Sequence, residues 1–141
     1  MGESETQATA AEQEGTDGLG ANLGFADYEH LAADEAAMNL PVSPKVLQPY
    51  GIVHGGAYAA LAESLTSRAT YETVGPDKVA FGQSNDTSFL RPVFSGTVHA
   101  EARAVHRGST TWVWEVQMRA DGDKLCAVSR VTIAVRPFRR G

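Results

Sequence analysis

After residue 78 the chain reads as four strand-length stretches, at about 79–93, 97–105, 110–119 and 125–135, separated only by Ser95-Gly96, Arg107-Gly108 and Asp121-Gly122. Links this short leave no room for a crossover helix, so they predict neighbouring strands that run antiparallel. Before them, residues 55 to about 73 form the only helix-length stretch, ended ahead of Gly75-Pro76. Earlier still, Ala36, Met38, Leu40 and Val42 alternate with other residues as in a half-buried strand, and Pro41 puts that strand near an edge or an end. The expected fold class is α+β, with one long helix against an antiparallel sheet and no internal repeat.

The 141 residues, 43% of them hydrophobic, suffice for one ordinary domain. Charge is uneven: Glu3, Glu5, Glu12, Glu14 and Asp17 have no Lys or Arg among them and account for the net charge of -5. The balanced remainder lacks the positive field that phosphate backbones require, which argues against nucleic acid as a partner. Residues 1–21 hold too little apolar content to fold and read as a disordered acidic tail, leaving 22–141 as a single domain. No apolar run reaches the roughly 18 residues of a membrane helix, and no basic stretch leads into an apolar one at the start. The expectation is a soluble, cytoplasmic protein with no membrane partner. Cys126 stands alone, which rules out a disulfide within the chain or a multi-thiolate metal site; it reads as a small buried strand residue.

The stretch GIVHGGAYAALAES, residues 51–64, carries the chemistry. Glycines at a helix start leave backbone N–H groups open at the positive end of the helix dipole, where an oxygen gaining negative charge is stabilised. Further along, Glu63 and Ser67 lie four residues apart and share a helix face. A carboxylate beside a hydroxyl can attack a carbonyl or activate water towards it. On a wheel of about 100° per residue, Tyr58, Leu61 and Leu65 fall opposite Glu63, where they can pack on the sheet. Ala59, Thr66, Ser67 and Thr70 fall on its side. A solvated stripe favours long charged residues, so a small, hydroxylated one points to close approach of another surface.

Glu63 lies eight residues beyond Gly55, which at ~1.5 Å per residue separates them by ~12 Å along the axis. One carbonyl cannot touch both. If both serve one reaction, the second comes from another copy of the chain, with two helices antiparallel across a twofold axis. Other constellations are weaker. His30, His54, His99 and His106 lack metal-ligand spacing. Ser64, Ser67 and Ser84 lack the strand-to-helix elbow of a serine hydrolase. Trp112 and Trp114 share one strand face and read as core. Ser109 and Thr110, after Gly108, suit a phosphate or a plain hairpin. Arg136, Arg139 and Arg140 suit an anionic ligand or a solvated chain end.

GIVHGGAYAALAES, with GQSNDTSFLRPV (82–93), GSTTWVWEV (108–116) and LCAVSRVTIAVRP (125–137), closely resembles the hotdog-fold acyl-CoA thioesterases. The nearest branch is that of 4-hydroxybenzoyl-CoA thioesterases with a helix-borne catalytic glutamate. The resemblance runs from about Leu47 onwards. It implies a sheet wrapped around the helix, homodimers pairing into tetramers, active sites at the dimer interface, and no metal or cofactor, coenzyme A being part of the substrate. By position, Glu63 corresponds to the catalytic carboxylate, either attacking the thioester carbon or activating water. Gly55 corresponds to the N–H donor to the thioester oxygen, Gln48 to the amide that orients thioester and water, and Ser67 to a family threonine that holds a water. His54 corresponds to a contact to the pantetheine arm or thioester. Arg91, Ser109, Thr110 and Arg139 correspond to groups that hold the nucleotide and its phosphates.

Ser64 and Arg68 stand where the branch carries methionine and glutamate near the acyl ring, and Asp86 where it carries histidine. Arg68 would reverse the local charge, so the acyl group need not be 4-hydroxybenzoyl: a larger or anionic aromatic acid, such as a dihydroxynaphthoyl or phenylacetyl derivative, also fits. A non-catalytic acyl-CoA-binding module on the same fold would dispense with Glu63 and Gln48. A hotdog hydratase normally needs a helix aspartate that this helix lacks.

Overall fold

The structure, a computed structural model, describes residues 18–138. In chain order it contains α1 (Leu19–Leu23), β1 (Tyr28–Leu31), β2 (Glu35–Pro41), a single 3-10 turn (Pro44–Val46), α2 (Gly55–Val74), β3 (Lys78–Phe89), β4 (Thr97–Arg107), β5 (Thr111–Ala120) and β6 (Lys124–Pro137). One six-stranded sheet has the order β1-β2-β4-β5-β6-β3, and every pairing is antiparallel. The sheet wraps α2, which touches all six strands.

Two of the three links behave as expected. The β4–β5 and β5–β6 connections are tight hairpins; in the second, Gly122 (φ 81°) and Asp123 (φ 61°) take the paired left-handed conformations that match strand twist. The third differs. β3 does not pair with β4 but with β6, while β4 pairs with β2. Ser95-Gly96 is only the end of a longer connection, residues 90–96, which carries the chain from one side of the sheet to its middle. It is pinned on the way: Leu90 and Arg91 donate their N–H groups to Cys126 O, Val53 N–H donates to Val93 O, and Val42 N–H donates to Gly96 O. Buried Val93 anchors its centre. Consequently β3 is left as a 12-residue edge strand.

Two elements escape the periodicity of the sequence. β1 is four residues long and irregularly paired with β2. α1 begins at Leu19, inside the segment expected to be tail up to Ala21, and ends on Gly24 in the left-handed conformation. The rest of that expected tail lies outside the described residues.

The helix buries Tyr58, Leu61 and Leu65 against Met38, Leu40, Val98, Val116, Met118, Val131 and Ile133 of the sheet. Trp112 and Trp114 are core residues, stacked at 6.0 Å, and Cys126 is fully buried. Thr66 and Thr70 depart from the wheel expectation. Both are completely buried rather than on the outer stripe, because each is satisfied internally: the Thr66 hydroxyl donates to Ala62 O at 2.8 Å and the Thr70 hydroxyl to Thr66 O at 2.7 Å, while Trp114 Nε1–H donates to Thr70 Oγ1 at 2.9 Å. The outward stripe is therefore Ala59, Ala60, Glu63, Ser64 and Ser67.

Candidate active site

The outward stripe of α2 and the edge strand β3 enclose a groove of 610 Å³. Ala59, Ala60, Glu63, Ser64 and Ser67 form the helix wall; Asn85, Thr87 and Phe89, alternate residues of β3, form the strand wall. Leu19 of α1 stands at the margin. Small helix residues make this groove possible, since longer side chains would fill it. Asn85 Nδ2–H donates to Ala59 O at 2.9 Å and so ties the two walls together; Thr87 Oγ1–H donates to Asn85 Oδ1 at 2.7 Å.

Glu63 is exposed, and its carboxylate rests on the backbone of β3. A Cβ placed on Gly82 would lie 2.7 Å from the Glu63 carboxyl carbon. Gly82 sits where the β3–β6 register slips, an irregularity that brings the bare backbone under the helix. Strand and helix thus hold the carboxylate by shape, with no ion-pair partner among the described residues. Ser67, one turn on, lines the same groove.

The helix start forms a second group. His54 is the N-cap, and its Nδ1 accepts from Gly56 N–H at 2.8 Å. This corrects the expectation of two open N–H groups, since the second is taken. It also places the ring proton on Nε2, so His54 presents a donor outwards. The N–H of Gly55 has no acceptor among the described residues. Phe89 packs on that glycine: a Cβ there would meet the ring at 2.8 Å. Gln48 belongs to this end as well. Its backbone N–H donates to Ile52 O, and its Nε2–H points at Val53 O, 3.4 Å away.

The structure therefore gathers the residues singled out in the sequence into two clusters, Gln48, His54 and Gly55 at the helix start and Glu63, Ser64 and Ser67 two turns along. The helix between them is uninterrupted, so the ~12 Å separation stands.

Other expected site residues lie elsewhere. Arg68 does not line the groove; it pairs with Glu72 at 2.5 Å and lies over the Tyr71 ring at 5.8 Å. Its charge is compensated on its own helix by Glu72. Asp86 projects to the outer face of the sheet beside Arg130 and Glu115, because strand alternation gives the groove Asn85, Thr87 and Phe89 instead. Arg91 follows the end of β3 beside Cys126, whereas Ser109 and Thr110 are in the β4–β5 turn, where Thr110 O accepts from Val135 N–H. Measured along β6 at ~3.3 Å per residue, those positions are roughly 30 Å apart. They do not meet within one chain. Arg139 lies outside the described residues.

Gly82, Asn85, Thr87, Phe89 and Leu19 were not singled out. A glycine inside a strand signals close approach of another group, and this signal was available for Gly82. Burial also raises the titration of two groups behind the groove: the Tyr58 phenol, with Cys126 nearby as a lesser cause, and the Cys126 thiol. Cys126 Sγ–H donates to Met118 O, and the buried Tyr58 hydroxyl lies against Cys126. Neither is a nucleophile at neutral pH.

Residues 50–127, more than half of the chain, match the profile of the thioesterase superfamily. The 1,4-dihydroxy-2-naphthoyl-CoA hydrolase of Listeria monocytogenes is 38% identical over 106 residues, covering 75% of this chain and 86% of that protein. The enzyme of the same name from Escherichia coli is 32% identical over 120 residues, covering 84% and 88%. Among solved structures, a thioesterase from Haemophilus influenzae superposes with a TM-score of 0.84 at 31% identity, covering 94% of each chain. With the helix-in-sheet architecture and the groove already described, these similarities establish that the chain belongs to the thioesterase superfamily as a hotdog-fold thioester hydrolase.

Proposed function

We propose that this protein hydrolyses an aromatic acyl-CoA thioester to the free acid and coenzyme A, at a site shared by two copies of the chain. The observation that carries this reading is the Glu63 carboxylate, fixed against Gly82 in a groove of 610 Å³ and ~12 Å from the unpartnered N–H of Gly55. In an antiparallel dimer the helix start of one protomer meets the mid-helix acid of the other. Exposed edge strand β3, beside the groove, supplies the surface on which two copies pair.

Gly55 N–H then polarises the thioester carbonyl, and Glu63 of the other protomer acts on the carbon directly or through water held by Ser67. Water's oxygen ends on the acyl carbon, the C–S bond breaks, and the proton passes through the glutamate to the departing thiolate. Gln48 and His54 stand beside the oxyanion donor and orient the thioester. Arg91 of one protomer and Ser109 and Thr110 of another approach the nucleotide from separate chains, in keeping with their separation within one.

The names of the two hydrolases favour a dihydroxynaphthoyl acid over 4-hydroxybenzoyl as the acyl group, and the small side chains of the helix wall suit a fused ring. Thiol release from a panel of 1,4-dihydroxy-2-naphthoyl-, 4-hydroxybenzoyl-, phenylacetyl- and butyryl-CoA tests this. The fused-ring thioester is expected to have the highest kcat/KM, unchanged by EDTA. Glu63→Gln should lower kcat by a factor on the order of 10²–10⁴ without loss of fold. Turnover by that variant at the wild-type rate would remove Glu63 from the reaction.

A further inference from the structure

Two large apolar side chains border the groove and are left uncovered by the rest of their own chain: Leu19, 62% exposed, and Phe89, 58% exposed. Core burial explains neither. Leu19 belongs to a five-residue helix with no buried residue of its own, held in place through Gly20, whose Cα lies under the Phe25 ring, and through Phe25 N–H donating to Gly20 O. That anchoring leaves Leu19 directed at the groove. Phe89 closes the β3 wall, with the tip of its ring against Gly55 and its centroid 6.0 Å from that of Tyr58. Its contacts hold the ring in one place while leaving more than half of the residue open.

The rest of the wall cannot recognise an aryl group by itself. The helix contributes alanines and serines, and β3 contributes Asn85 and Thr87, which are occupied with each other and with Ala59 O. An apolar, planar acyl group gains little from those neighbours and much from a fixed ring face. We infer that Phe89 and Leu19 determine acyl specificity, Phe89 as the ring against which a flat aryl thioester stacks and Leu19 as the apolar wall at the groove's margin. Because Phe89 also packs on Gly55, the aryl group is held next to the N–H that polarises its carbonyl. Recognition and activation are thereby coupled through one side chain. This inference rests on the thioesterase reading of the groove, and refines it by naming what selects the acyl group.

The test compares kcat/KM for 1,4-dihydroxy-2-naphthoyl-CoA with that for butyryl-CoA in wild type, Leu19→Ala, Phe89→Ala and Phe89→Leu, with circular dichroism confirming the fold of each. The ratio of aryl to butyryl efficiency should fall by about tenfold in Phe89→Ala and by a smaller factor in Leu19→Ala. Phe89→Leu keeps the apolar bulk over Tyr58 while removing the aromatic face, so it should lower the same ratio, and it decides the matter if the alanine variant is unfolded. A wild type active on the aryl thioester whose ratio is unmoved by Phe89→Leu and Leu19→Ala would overturn the inference and leave the thioesterase reading intact. A wild type that releases no thiol from any aryl-CoA would overturn the reading itself, and the inference with it.

Discussion

Glu63 is held by what its neighbour lacks. Gly82 offers bare backbone where any side chain would meet the carboxylate, so the strand, not an ion pair, fixes where the acid can lie. Gly82→Ala should therefore leave the fold intact, since an exposed glutamate can swing away, yet lower kcat by about 100-fold because misplacing a catalytic group by an ångström has that effect. Steady-state kinetics beside a thermal melt separate the two effects; an unchanged kcat would show that the Gly82 contact does not position the acid. Cys126 gives a second check at this scale. Burial raises its thiol and no positive group lowers it, so it should resist iodoacetamide at pH 8 in the folded protein and react once urea unfolds the chain. Labelling of the native protein at the unfolded rate would contradict its placement in the core.

At the level of elements, α2 is bound to the sheet by polar as well as apolar contacts. Trp114 Nε1–H finds its only acceptor among the described residues in Thr70 Oγ1, inside the core. Thr70→Val keeps the volume and removes that acceptor, and should cost about 1–3 kcal/mol in a urea titration, whereas Thr70→Ser should retain most of the stability. The helix, the four later strands and the strand around residues 36–40 were legible in the sequence because each is long enough for its period to show. Topology was not. Hairpin logic treated Ser95-Gly96 as a turn, and nothing local reveals that β3 closes on β6 through a pinned seven-residue connection. For the same reason the helix half of the site was readable, while its strand half, Asn85, Thr87 and Phe89, emerged only when β3 was laid alongside α2. The wheel likewise put Thr66 and Thr70 beside Glu63, since hydroxyl residues look polar until their bonds back to the helix are seen.

For the whole molecule, the separation along α2 is decisive. With Gly55 and Glu63 on one uninterrupted helix ~12 Å apart, the proposed shared site gives each protomer one half of each of two sites. Activity should then fall on dilution below the dimer dissociation constant, in parallel with loss of the dimer in sedimentation, and a fully active monomer would contradict a shared site.

Subunit complementation examines the shared site most directly. Glu63→Gln removes the acid, and Gly55→Pro removes the N–H at the first helical position, where His54 already has the extended backbone that proline requires before it; Phe89→Ala accompanies the proline, because a Cβ at residue 55 would meet the Phe89 ring at 2.8 Å. Each homodimer should be nearly inactive. Unfolded and refolded together in equal amounts, they form mixed dimers in which one of the two sites has an intact acid facing an intact N–H, so about a quarter of wild-type activity should return. Mixed dimers, confirmed by mass, that stay as inactive as their parents would show that acid and oxyanion donor do not meet across two chains.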